Sequence, residues 1–260
     1  MRQQDGITIA IPNWNHELLL PRAIRSALRA LEILRNQGVD GEVLVIDDCS
    51  RDGSQVLLRQ LEARYYRDGL RVVMLANNAG LTAVRNQALT RSRFRYLLFL
   101  DADNEVVPEN LPVFLAALRQ TRAAGAYGTL LIRTVASVDA IAAFSHESFQ
   151  DRMFDNNYID ACAVFDRAQL VELGGYVNNR WEDYEVWLRL AAAGRLIVFV
   201  PIVLGYYYIV PASLTIDPNE NHHLHAVAQR IKRVFNQVDA RADLPLATRH
   251  RRYHPALGYF

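Results

Sequence analysis

Over the first hundred residues, short runs rich in Val, Ile, Leu and aromatic side chains alternate with longer stretches of helical periodicity, and nothing else in the chain constrains its fold as strongly. The β-rich runs are Ile7–Ile11, Glu42–Ile46, Leu70–Leu75 and Arg95–Leu100. Between them, Pro21–Gln37, Gly53–Tyr66 and Leu81–Thr90 carry apolar residues at helical spacing, with Asp52 placed as an N-cap for the second. Strands this far apart cannot close as hairpins and need crossover helices. The spacing therefore predicts a βαβαβαβ unit, an α/β fold with a mostly parallel sheet flanked by helices.

Downstream the pattern predicts a helix from Asn110 to about Ala123, a β-rich run Tyr127–Thr134, a buried strand Ile159–Phe165 and a helix Glu182–Ala193. Leu196–Ala212 is uncharged and apolar, but Pro201, Gly205 and Pro211 interrupt it and its Val, Ile and Tyr content favours strands. It reads as two buried strands rather than a membrane span.

Composition narrows the function classes. A chain of 260 residues, 51% of them hydrophobic, can bury a sizeable core, and a formal net charge of +1 is not that of a general nucleic-acid binder. Cys49 and Cys162 lie far apart in unlike contexts, which fits neither a disulfide framework nor a paired zinc site. With no apolar leader visible after Met1, a cytoplasmic location is expected.

Polar residues cluster just past the end of each early strand: Asn13 and Asn15, Asp47 and Asp48, Asn77 and Asn78, then Asp101 and Asp103. In open parallel sheets the ligand crevice lies outside the carboxyl ends of the strands, so these segments are expected to converge. Asp101-Ala102-Asp103 follows a buried strand, and an extended backbone there would present both carboxylates on one side. Two hard oxygen ligands suit Mg²⁺ or Mn²⁺, which keeps positions open for phosphates and offsets charge on a departing diphosphate. With seventeen Asp in the chain, a single Asp-any-Asp match is expected about once by chance, and placement gives it weight.

Five motifs then occur in a familiar order. Ile11-Pro12-Asn13-Trp14-Asn15, Val45 to Ser54 with Asp47-Asp48, Asn77 to Asn86 with Gly80 and Arg85, Asp101-Ala102-Asp103, and Trp181 to Arg189 with Glu182-Asp183 together resemble glycosyltransferase family 2 over roughly Ile7 to Thr215. The resemblance implies a single GT-A domain, Rossmann-like and of the nucleotide-diphospho-sugar transferase type, spanning about 1–217. Its nucleotide-sugar half is about 1–110 and its acceptor half about 111–217, with a helical, arginine-bearing tail at 218–260. It further implies an inverting transferase that takes a nucleotide-sugar donor, with UDP-sugar expected, and uses Mn²⁺ or Mg²⁺.

Carried over by position, the resemblance implies donor contacts from Pro12, Trp14, Asn15, Asp48, Arg85, Asp101 and Asp103, with Asp103 and Asp101 holding the metal. Trp14 would stack on the base and Asp48 would accept its ring N–H, a role that suits a carboxylate fixed by backbone amides. Asp183 corresponds to the general base, with Trp181 and Glu182 on the acceptor side. Each residue also has a plainer reading: Trp14 as an ordinary aromatic, Asp47 and Asp48 as capping acids, and Glu182 and Asp183 as acids favoured in a first helical turn.

The sequence departs from the family pattern at Asn104, where an acid often follows the metal motif, and at Tyr206 to Ser213, where a basic or His-containing loop is common. A third protein ligand for the metal is therefore not identified. His222, His223 and His225 read as a solvent-exposed cluster. The tail, with Arg230, Lys232, Arg233, Arg249, Arg251 and Arg252, has two readings: peripheral contact with an anionic membrane near a lipid-linked or glycan acceptor, or packing against the domain or a second subunit, which is favoured. A sugar nucleotidylyltransferase would need a glycine-rich basic loop after the first strand, and none is present. A non-catalytic binding module of the same fold is the remaining alternative.

Overall fold

A computed structural model describes residues 4–134, 139–140, 142–145, 149, 157–177 and 181–209, together with the backbone of 253–254 and 258–259. The first strands are β1 (Gln4–Asn13), β2 (Gly41–Asp47), β3 (Leu70–Met74) and β4 (Phe94–Phe99), joined by α1 (Leu20–Asn36), α2 (Ser54–Tyr65) and α3 (Leu81–Arg91). All four run parallel in the order β3-β2-β1-β4, as the alternating pattern predicts. The chain reverses its direction of travel across the sheet between β1 and β4, which is where such sheets open a crevice.

A period of two sorts these strands onto two cores. Ile7, Ile9, Ile11, Val43, Val45, Tyr96 and Leu98 join one cluster with the apolar faces of α1 and of α4 (Leu111–Thr121). The intervening Ala10, Leu44, Ile46, Leu97 and Phe99 join a second with α3 and with α6 (Glu182–Ala192). Because both faces are covered, the strands are apolar at nearly every position rather than alternating with polar residues. In α1 the buried residues Leu20, Ala23, Ile24, Ala27, Ala30, Leu31 and Leu34 follow helical spacing, and a proline stands in the first turn, where its missing N–H costs nothing.

The second half adds β5 (Glu105–Val106), β6 (Gly125–Thr134), β7 (Ala142–Phe144), β8 (Val164–Asp166), α5 (Arg167–Glu172) and β9 (Ile197–Ile209). The sheet continues as β4-β8-β6-β9-β5, with β7 on β6. Here β8 is antiparallel to both β4 and β6, while β6 and β9 are parallel.

Four local expectations are corrected. The segment read as two strands is the single strand β9, which bends at register shifts opposite Gly128 to Leu130 while Pro201 is turned to solvent; a bulge accommodates a proline without ending the strand. Of the run Ile159–Phe165 only the end is strand, and Cys162 is buried outside it. The helix α5 was not expected. Asp52 precedes the cap of α2, which is Gly53, and accepts instead from the backbone N–H of Ser54 and Glu17, each at 3.0 Å.

Among the described residues no helix is long and apolar enough to cross a membrane. The tail assignment, including His222, His223, His225 and the predicted helix near 224–238, lies outside the described residues, apart from a short antiparallel pair, β10 (Tyr253–His254) and β11 (Gly258–Tyr259).

Asp166 joins β8 to α5. It caps the helix by accepting from the N–H of Ala168 and Gln169, and it pairs with Arg95 at 3.0 Å while only 5% exposed. Asp166→Ala is expected to lower unfolding stability by about 1–2 kcal/mol. Asp5→Ala, which breaks an exposed pair with Arg119, should cost less than about 0.5 kcal/mol. Urea denaturation midpoints check this; equal losses would contradict it.

Candidate active site

The loops after β1 and β2 are tied by a buried carboxylate. Asp47 accepts from Asn13 Nδ2 at 2.7 Å, from the Ser50 hydroxyl at 2.6 Å and from the Ser50 N–H at 3.0 Å. Ser50 Oγ in turn accepts from the N–H of Asn15, whose side-chain oxygen accepts from the N–H of Arg51. Asp47 is therefore a structural staple, and Asn15 a turn residue in the left-handed region at φ 59°. Pro12 is buried within β1, paired in register with Ile46, while Trp14 is half exposed at the rim.

Asp48 sits 4% exposed between two loops. One carboxylate oxygen accepts from the N–H of Ala79 at 2.7 Å and the other from the N–H of Gly80 at 2.8 Å. This is the amide-fixed carboxylate anticipated from the sequence. Gly80 starts α3 with φ 86° and ψ 157°, a conformation open in practice only to glycine. A Cβ there would meet nothing within 4 Å, so the backbone angle, and not close approach, requires the glycine.

The segment after β4 is a turn, not the extended backbone expected: the Asn104 N–H donates to the Asp101 carbonyl at 3.0 Å. Two elements clamp it. From α1, Arg22 donates to the Asp103 carbonyl at 2.6 Å and stacks 3.5 Å from the centroid of the Tyr208 ring. From β9, the Tyr208 N–H donates to Asn104 Oδ1 at 3.0 Å, with Asn104 only 3% exposed. The asparagine in place of the familiar acid is thus a strand-to-turn tie. Burial, and then the neighbouring Asp101 carboxylate, push Asp103 up to about 6, against the opposing pull of His16 and Arg22.

Beside this turn lies a set of carboxylates around one guanidinium. Arg85, 3% exposed on α3, forms a short ion pair with Glu182 through one terminal nitrogen and lies 3.4 Å from Asp101 through the other. Burial opposes its charge, yet Asp101 and Glu182 hold it firmly protonated. Burial raises Glu182 to about 7 and raises Asp183 above the ordinary aspartate range; Arg85 works against both shifts. Asp160 is also driven up, to about 7, by burial and then by Asp101.

Asp101 acts electrostatically on Asp103, Asp160, Glu182 and Asp183 alike, so the turn and the start of α6 form one site. Glu182 is buried, whereas Asp160 and Asp183 keep partial exposure. Trp181, partly exposed, precedes the helix. Carboxylates outnumber the cations facing them, and the site is suited to hold a cation on one side and to take up a proton on the other.

The sequence reading missed Asp160, Arg22 and Tyr208. Asp160 could have been noticed as the lone acid in the apolar run Tyr158–Phe165. Nothing in the sequence singles out Arg22 among many helix arginines. Cys162, driven up by burial, is an inert thiol. A recess of about 420 Å³ lined by Asp5, Arg95, Tyr96, Arg119 and Arg122 shares no residue with this site and lies toward the opposite ends of β1 and β4.

Residues 8–169 match the family model described as Glycosyl transferase family 2. WcaA of Escherichia coli K12, named for a colanic acid biosynthesis glycosyl transferase, is 33% identical over 120 residues, which span 46% of this chain and 40% of that protein. Among solved structures, S. aureus TarS 1-349 in complex with UDP-GlcNAc has a TM-score of 0.67 at 18% identity, over 93% of this chain and 68% of that one. The mannosyltransferase PcManGT from Pyrobaculum calidifontis, in complex with GDP-Man and Mn²⁺, has a TM-score of 0.61 at 16% identity, over 93% and 77%. The family model covers more than half of the chain, the solved structures share its α/β fold, and the chain belongs to glycosyltransferase family 2.

Proposed function

We propose that the protein is an inverting transferase that moves a sugar from a nucleotide-diphosphate donor, a UDP-sugar, to a hydroxyl of a glycan or lipid-linked acceptor. One observation carries the reading: Asp101 acts electrostatically both on Asp103 beside it and on Asp183, encoded more than eighty residues further on.

Asp183 is the proposed general base. Its raised pKa brings proton affinity closer to neutrality, where a base is both available and strong enough to act. It takes the acceptor hydroxyl proton as that oxygen bonds to the anomeric carbon from the face opposite the diphosphate. The bond from the anomeric carbon to the phosphate oxygen breaks in the same step and its electron pair leaves with the diphosphate. Attack from the opposite face inverts the configuration. Trp181 and Glu182 flank the acceptor side, and Pro12, Trp14, Asn15 and Asp48 serve the donor base, with Trp14 half exposed and available to stack.

Asp101 and Asp103 fit a divalent cation: both are hard oxygen donors, and Asp103 is held at a raised pKa by burial and a like charge that a cation would relieve. Among the described residues no group of three or more His, Cys, Asp or Glu side chains forms a closed metal cage. Such a pair leaves the remaining positions to water and donor phosphates, as Mg²⁺ and Mn²⁺ sites commonly do. When bound, the ion would offset charge on the departing diphosphate. PcManGT was solved with Mn²⁺ and GDP-Man and TarS with UDP-GlcNAc, which supports a nucleotide-sugar donor while leaving the base to experiment.

Three measurements test this reading. A thermal-shift panel of UDP- and GDP-sugars should raise Tm only with Mn²⁺ or Mg²⁺ present, and most for a UDP-sugar; no shift with any donor would favour a protein that binds none. Asp183→Asn should cut transfer by about 10²–10⁴-fold with donor affinity nearly unchanged, whereas Asp103→Asn should weaken metal-dependent donor binding; transfer by Asp183→Asn at the wild-type rate removes the base assignment. Because the base must be ionised and its folded pKa is raised, activity should fall on acidification at a pH above the ordinary aspartate value of about 4. A kcat/KM profile with its acidic limb at or below that value would contradict the assignment.

A further inference from the structure

The recess toward the far ends of β1 and β4, about 420 Å³ and lined by Asp5, Arg95, Tyr96, Arg119 and Arg122, takes no part in the proposed transfer. Three guanidiniums from two elements meet there: Arg95 from β4, Arg119 from the last turn of α4 and Arg122 from its C-cap. The carboxylates against them are Asp166, which holds Arg95, and Asp5, which holds Arg119. Arg122 has no side-chain partner among the described residues.

Cations at a helix C-terminus usually answer its negative end, and that accounts for Arg119 and Arg122. Three further features need another explanation. Arg95 comes from a strand, and because Asp166 takes its Nε and one terminal nitrogen, the other terminal nitrogen is uncommitted among the described residues. Arg122 stands in the left-handed region at φ 58°, where glycine is the usual residue, so an arginine is kept there against backbone preference. Tyr96 is fully buried, and its hydroxyl has no hydrogen-bond partner among the described residues. The guanidinium carbons of Arg95 and Arg119 lie 5.0 and 5.9 Å from its ring centroid. A buried hydroxyl left unpaired costs free energy, and burial raises its pKa, so it holds its proton ready for an acceptor.

We propose that this recess is a binding site for a phosphomonoester group, with Arg95, Arg119, Arg122 and the Tyr96 hydroxyl donating to its oxygens. A tetrahedral oxyanion accepts from several directions at once, which suits donors arriving from a strand and from a helix end. Asp5 does not bar the anion: its pair with Arg119 is exposed at both ends, at 66% and 36%, and such pairs are worth little, so a phosphate displaces it. The recess is larger than a phosphate alone needs, which leaves room for the small molecule or lipid headgroup that carries it. Nothing in this site depends on Asp101 or Asp183, so it stands apart from the proposed transfer.

The test uses the full chain in EDTA, so that no metal-bound phosphate forms at the carboxylate cluster. Titration calorimetry with glycerol 1-phosphate should show one saturable site, and hydrogen–deuterium exchange should slow at 94–96 and 119–123. Arg122→Gln should weaken the Kd about tenfold, as expected on losing one charge-assisted hydrogen bond, and Tyr96→Phe about threefold. Without ligand, Tyr96→Phe should raise Tm by about 2 °C, because it removes an unpaired buried hydroxyl. Arg122→Gly, which the left-handed backbone favours, should keep the ligand-free Tm and weaken binding as Arg122→Gln does, which separates binding from folding. Sedimentation with phosphatidylcholine vesicles containing or lacking phosphatidic acid distinguishes the sources. Sedimentation that needs phosphatidic acid and is lost in Arg122→Gln assigns a lipid headgroup; saturable glycerol 1-phosphate binding without sedimentation assigns a soluble ligand. Binding of neither probe overturns the proposal, as does binding unchanged in Arg122→Gln. A lower ligand-free Tm in Tyr96→Phe overturns it too, since the hydroxyl would then already be paired.

Discussion

A set of partly buried carboxylates cannot be assembled in a protein without a counter-charge, and here the buried Arg85 supplies it. Asp101, Glu182, Asp183 and Asp160 all lie within its electrostatic reach. Removing one partner from a buried ion pair typically costs about 3–5 kcal/mol, because the other charge is stranded out of water. The rest of the site is arranged around this constraint. Compensation is incomplete, however: burial first, and then a surplus of negative charge, raise the pKa values of Asp103, Asp160 and Glu182. That surplus has a linkage consequence. Acids whose folded pKa is raised contribute stability that is full below about pH 4 and is lost as pH rises through about 6 to 7, so the ionised site costs folding free energy at neutral pH. Binding of a cation to the native state would recover part of it.

The loops after β1 and β2 are rigid for a different reason. Asp47 and Asp48 are adjacent, yet one faces back into the loop staple of Asn13 and Ser50 while the other crosses to the amides that open α3. Successive residues leaving a strand point to opposite sides, so a pair of acids at one strand end can do two jobs. The cost is local strain, visible as the positive φ of Asn15 and Cys49 flanking the same loops.

The turn after β4 shows how distant segments act together on one short stretch of backbone. Arg22 comes from α1, Asn104 from the turn itself and Tyr208 from the far end of β9; Arg22 holds the Asp103 carbonyl and stacks on Tyr208, and the Asn104 side chain holds the Tyr208 N–H. The clamp takes no oxygen of either carboxylate, while Asp101 pairs separately with Arg85 at 3.4 Å.

Periodicity in the sequence determined the parallel unit β1 to β4 and its three helices, because helix and strand repeats are local properties of side-chain spacing. Motif order and composition also marked Asp48, Asp101, Asp103 and Asp183. Tertiary structure alone decided the rest. The antiparallel placement of β8, the bend that keeps β9 a single strand, the turn at Asp101–Asn104 and the entry of Asp160 into the charge cluster all depend on contacts between residues far apart in the chain. Arg85 is the clearest case: its sequence neighbours place it on a helix, but only the meeting of α3, the end of β4 and the start of α6 gives its guanidinium two carboxylates to hold, since charge pairing acts through space and leaves no trace in local spacing.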